Sequence, residues 1–121
     1  MCLESKEKWA FKCPGTGYKL FVREDSNRKY TSVFNNKLPY DYCKIGDTVD
    51  DTSHKMLEIH AMLRYKTGFH IFKNFRDAIK HCGSINNGRV VEVKYSKVTA
   101  IGKQWDCDVV VARRMKLIKE R

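Results

Sequence analysis

Residues 89–118 leave the chain few choices, because almost every second position is apolar and the apolar positions are β-branched. Val91, Val93 and Tyr95 alternate with Glu92 and Lys94, the period-two pattern of a strand with one buried face, so residues 89–95 read as strand with those three inward. After a kink the strand resumes over 98–101, and Gly102-Lys103-Gln104-Trp105-Asp106 reads as a turn into a long final strand, 107–118, that carries Val109-Val110-Val111. A chain that ends this way must build a sheet and cover it.

The same patterns run through the rest of the chain. Tyr18, Leu20 and Val22 alternate with Lys19, Phe21 and Arg23, which predicts a strand with one thoroughly apolar face. Residues 24–28 form its turn and 30–34 its hairpin partner. Residues 67–72 read as a short strand. Asn74 then opens a helix to about Cys82, with Asp77 in its first turn, Phe75, Ala78, Ile79 and Cys82 on one stripe, and Gly83 as its stop. Met56, Ile59, Met62 and Leu63 fall at helical spacing behind Ser53, so residues 53–64 can be written as a second helix or as a loop leading into a strand. The expected fold is α+β, a mostly antiparallel sheet covered by one or two helices. Cys13-Pro14-Gly15-Thr16-Gly17 breaks regular structure, which makes residues 1–16 an N-terminal extension and 17–121 a single domain.

Charge narrows the function classes. The chain carries 24 Lys and Arg against 14 Asp and Glu, a net +10, unevenly spread: +4 over residues 1–40, +1 over 41–80 and +5 over 81–121. If the two basic ends meet, they form one positive face suited to nucleic acid or an acidic protein surface. The expected contacts are Lys19, Arg23, Arg28 and Lys29 on the first hairpin and Arg113, Arg114 and Lys116 on the last strand. No apolar run approaches the ~18 residues of a membrane helix, and charges stand where a signal peptide would place its apolar stretch, so the chain is expected in the cytoplasm or nucleus of a host cell, with no membrane partner.

The chemistry-bearing residues are sparse. Five cysteines stand singly, with no Cys-x-x-Cys pair, so free thiols fit better than a zinc site, although His81-Cys82 could be completed by Cys43, Cys107 or His70. His81 and Cys82, as helix neighbours, point about 100° apart, too divergent for a nucleophile and its base. Phosphate-cradling glycine loops and serine elbows are missing, so neither a catalytic residue nor a cofactor is expected. His70 shares its strand face with Phe72, so it is either a buried, hydrogen-bonded histidine or an imidazole turned toward a ligand.

Gly17-Tyr18-Lys19-Leu20-Phe21, Gly68-Phe69-His70-Ile71-Phe72, Val90-Val91-Glu92-Val93 and the closing Met115-Lys116 together resemble small uncharacterised domains of phages, large DNA viruses and some bacteria. That resemblance spans about residues 17–119 and implies a shared fold and a viral or mobile-element setting. The order of elements is also similar to the core of ADP-ribosyltransferases. This second likeness implies Arg23 or Lys19 as the residue that holds NAD and Glu92 as the late glutamate, with His70 standing where those enzymes carry Ser or Tyr. The residues thus predict a basic binding module without chemistry, with an NAD-using transferase or a homo-oligomeric interaction protein as the alternatives.

Overall fold

The computed structural model of the chain describes residues 5–6, 13–24, 29–32, 43–51, 56–60, 63–66 and 68–121. In chain order these form β1 (Ser5–Lys6), β2 (Gly15–Glu24), β3 (Lys29–Ser32), β4 (Thr48–Asp50), β5 (Met56–His60), β6 (Leu63–Lys66), β7 (Phe69–Phe72), α1 (Phe75–Cys82), β8 (Gly88–Gln104) and β9 (Cys107–Glu120). The fold is therefore essentially all-β, with one eight-residue helix among the described residues, and not the expected α+β layer. The segment written as a second helix is the paired strands β5 and β6, Met56 opposite Lys66 and Leu57 opposite Tyr65. Over so short a stretch helical spacing cannot outweigh cross-strand pairing, which satisfies the backbone groups of both strands at once. Arg28 lies outside the described residues.

Seven strands share one antiparallel sheet whose pairings close on themselves: β2 pairs β8, β8 pairs β9, β9 pairs β7, and β7 returns to β2 through Tyr18 and Phe72. The closure depends on two long, bent strands. β8 is continuous through the expected kink and turn: Lys97 takes a left-handed backbone (φ 55°), and register shifts fall at Glu92/Val93 and Val98/Ala100. Such bulges add twist, so one strand can serve two parts of the ring. The turn itself shrinks to Trp105 and Asp106, with φ of 50° and 60°. Positive φ at both positions matches the two-residue hairpin turn that favours glycine second. Asp106→Gly is accordingly expected to raise stability by about 0.5–1 kcal/mol, read as a shift in the urea midpoint; an unchanged or lower midpoint would contradict the strain.

The ring encloses Phe21, Ile71, Val91, Val93, Met115 and Leu117, all fully buried. A second cluster, with Leu20, Phe72, Val90, Val109 and Val111, lies against Ala78 of α1. Both faces of β2 are thus covered. The strand was expected to bury only the Tyr18–Leu20–Val22 face, but Phe21 points into the ring, and Lys19 goes in with it. Val91 and Val93 face inward as their alternation predicts, with Tyr95 packed against the same cluster.

α1 begins after Asn74 as expected; the Asn74 carbonyl, not its side chain, accepts the Ala78 N–H at 3.2 Å. Its apolar stripe is narrower than the sequence suggested, since Ile79 is about half exposed. Gly83 keeps a right-handed backbone, and the left-handed residue of this connection is Asn87. The expected break at Gly15–Gly17 is instead the start of β2, and Ser5 and Lys6 of the expected extension pair with Lys103 and Gly102. Glycine is required there by close approach. A Cβ on Gly15 would lie 2.7 Å from the Tyr95 hydroxyl, and one on Gly17 would lie 2.6 Å from Ile71 Cγ2.

Candidate functional site

Register brings four strands into one row. Thr16 on β2 stands opposite Lys94 on β8, Lys94 opposite Lys116 on β9, and Lys116 opposite Thr48 on β4. Directly opposed residues share a sheet face, so two ammonium groups sit side by side with a threonine at each flank. The neighbouring row is Ser96, Arg114 and Asp50. Where these rows meet the start of β2, the surface forms a groove of about 400 Å³ that also takes in Pro14, Gly15 and Tyr95.

The charges in the groove are not equivalent. Arg114 donates from Nε to Asp50 Oδ1 at 2.7 Å and from Nη2 to Oδ2 at 3.3 Å. That hydrogen bond holds the Asp50 carboxyl below the usual carboxylate range, helped by the charges of Arg114 and Lys97, and it pushes the Arg114 guanidinium up. Lys94 and Lys116 are exposed and have no carboxylate partner among the described residues. Like charges directly opposed across strands destabilise a sheet, so an anion seated between them would relieve a repulsion that the fold otherwise carries. Tyr95 borders the groove with its ring on the inward face of the sheet, against the core, and burial keeps its phenol protonated above the usual range.

The residues nominated from sequence divide. Arg114 and Lys116 belong to the groove; the first hairpin does not join them. Lys19 is buried in the ring, where its ammonium donates to the His70 carbonyl at 3.2 Å and lies 5.9 Å from the ring centres of Phe21 and Phe69. Burial lowers its pKa to about 8. Arg23 donates to both oxygens of Glu120 at 3.1 and 3.2 Å, near the far end of β9, about 20 Å along the strand from Arg114. Lys29 stands opposite Glu24, and Arg113 donates twice to the Asp51 carbonyl, at 3.1 and 2.8 Å. His70 is 1% exposed, and burial together with the Lys19 charge brings its pKa down to about 3, so it is a neutral buried imidazole and not ligand-facing.

The chain is without a match: no family model, curated protein or solved structure is similar to it. The transferase likeness has to be judged by geometry, and the geometry separates its residues. Lys19 is opposite Val91 and Glu92 opposite Tyr18, which puts Lys19 and Glu92 on opposite faces of the sheet. Glu92 is held by Arg121 at 2.7 Å and Arg23 by Glu120. These three residues do not converge on a nicotinamide site.

The two buried thiols among the described residues, Cys43 and Cys107, are not set up as nucleophiles. Cys107 Sγ lies 3.5 Å from His81 Nε2, a pairing that the sequence raised only as part of a zinc site, and the His81 and Trp105 ring centres are 4.6 Å apart. Burial and the adjacent Asp77 push this thiol's pKa up, opposite to what an attacking thiolate needs. Burial likewise drives Cys43 up to about 12, with Asp47 adding to it. No group of three metal-binding side chains is present among the described residues. None of their helices is long and apolar enough to cross a membrane.

Sequence reasoning missed Lys94, Thr16 and Thr48. Lys94 had a signal in the polar positions of β8, Glu92, Lys94 and Ser96, that alternate with Val91, Val93 and Tyr95. Thr16 and Thr48 had none, since nothing local names a partner three strands away.

Proposed function

We propose that the Lys94–Lys116 groove binds the phosphates of nucleic acid. The observation that supports this reading most is the directly opposed lysine pair, without a carboxylate partner among the described residues, flanked by two threonines and set in a chain of net charge +10. Phosphate oxygens accept from ammonium and hydroxyl donors alike, and positioning contacts to the backbone need no base-reading motif. An acidic protein surface is the competing partner. The groove favours phosphate because its two directly opposed ammonium groups can converge on one anion, whereas carboxylates on a protein surface are spread.

The test is binding of a single-stranded oligonucleotide and of a duplex, followed by fluorescence anisotropy in salt from about 50 to 200 mM. With about three phosphates neutralised, affinity for the single strand should fall roughly 20-fold across that range. Lys94→Glu should abolish binding and, by pairing with Lys116 across the strands, stabilise the fold by about 0.5 kcal/mol. Loss of binding in a more stable protein separates function from folding. Binding unchanged by Lys94→Glu would refute the groove, and polyglutamate bound as tightly as the oligonucleotide would replace nucleic acid by an acidic protein.

A further inference from the structure

Lys94 and Lys116 stand directly opposed in one row of the groove. On one side the next row is closed by Asp50, bound to Arg114 at 2.7 Å. On the other side stands Glu92, opposite Lys119 and bound to Arg121 at 2.7 Å. The arginines on both sides are thus already engaged by carboxylates, and the two lysines of the row are not. Strands lie about 4.8 Å apart, so the Lys94 and Lys116 ammonium groups, on tethers that can converge, can hold one compact anion between them, whereas the Thr16 and Thr48 hydroxyls, about 14 Å apart across three such intervals, can reach it only one at a time.

We infer that this row is the seat of a phosphate monoester, the terminal phosphate of a nucleic-acid strand. The inference rests on the nucleic-acid reading above and narrows it. A monoester carries about −1.5 to −2 charge near neutral pH and three strong acceptor oxygens, which two ammonium groups and one flanking hydroxyl match; an internal diester carries a single charge. The groove volume of about 400 Å³ is enough for one nucleotide-sized group.

The site also predicts its own pH signature. Asp50 and Glu92 are both held below the usual carboxylate range, by their hydrogen bonds to Arg114 and Arg121, and no described histidine lines the groove. Between about pH 5 and 7.5 the phosphate itself therefore changes charge, with its second pKa near 6. A diester has no such step.

One short single-stranded oligonucleotide, prepared with a 5′-phosphate, with a 5′-hydroxyl and with the 5′-phosphate capped as a methyl diester, tests the inference. The 5′-phosphate form should bind the intact protein roughly tenfold or more tightly than the other two, as charge-assisted hydrogen bonds imply. That advantage should shrink below about pH 6 and disappear in Lys94→Gln and in Lys116→Gln, whose thermal midpoints should not fall because each removes a like-charge repulsion. Equal affinity for all three forms, with salt-sensitive binding that Lys94→Glu abolishes, would overturn the monoester seat and leave the phosphate groove standing. Failure of every form to bind at low salt would overturn both.

Discussion

Replacing Lys19 by methionine is expected to stabilise the protein by about 2 kcal/mol at neutral pH. The ammonium is enclosed by the ring, and its one hydrogen bond, to the His70 carbonyl, does not replace the water it gave up. Its pKa of about 8, against 10.5 for an ordinary lysine, measures that deficit, equivalent to about 3 kcal/mol. Methionine keeps the length of the side chain and its packing against Phe21 and Phe69 while removing the charge, and the lost cation–ring attraction trims the gain.

The pH dependence follows from the sign of the shift. Between about pH 8 and 10.5 the unfolded chain holds a proton on this lysine that the folded chain has released, so the Lys19 contribution to stability rises with pH across that window. Cys43 acts in the opposite sense. Its thiol is driven up to about 12, so the unfolded chain deprotonates first, and stability falls with rising pH from about 9 onward. The difference between wild type and Lys19→Met, measured by urea unfolding at about pH 7, 8.5 and 10, isolates the lysine: the advantage of the variant should shrink as the pH rises. A variant less stable than wild type at pH 7 would mean that the buried charge is fully compensated.

Gly17→Ala should cost about 3 kcal/mol, the largest loss expected of any single added methyl in β2. Its Cβ would lie 2.6 Å from Ile71 Cγ2 and 2.8 Å from the Phe72 carbonyl oxygen. Neither can retreat: Ile71 is fully buried, and the Phe72 backbone belongs to the strand that closes the ring through Tyr18. At Gly15 the obstacle is the Tyr95 hydroxyl, the far end of a side chain that can swing away, so Gly15→Ala should cost less than half as much. Thermal unfolding compares the two directly, with the Gly17 variant expected to melt more than about 10 °C below wild type. Equal melting of the two variants would show that Ile71 and β7 yield, and that the ring does not depend on this contact.

Two errors of sequence reading have one origin. The alternation along β2 separated Lys19 from Leu20 correctly, yet the face holding Lys19 was assigned to water because a sheet covered on both sides cannot be told from one covered on a single side by the pattern of one strand. The expected basic face failed for a related reason. Arg23 and Arg114 both lie in strands, as read, but the bends of β8 and β9 send them to different parts of the ring, each toward its own carboxylate, Glu120 or Asp50.

Local chemistry alone determined a good deal. The β-branched alternation of residues 89–118 marked the region as strand with Val91 and Val93 inward, although it read a kink and a five-residue turn where β8 runs on, and Asn74 with Asp77 marked the start of the helix. Period-two alternation states which face a residue takes because that depends only on the backbone of its own strand. It does not state the neighbour across the sheet, which depends on register, and here register is set by two shifts in the β8–β9 pairing and by the left-handed turn at Trp105 and Asp106. The opposition of Lys94 to Lys116, the threonines beside them and the enclosure of Lys19 were all decided at that level, where pairing energies summed over the whole ring outweigh the preference of any one side chain for water.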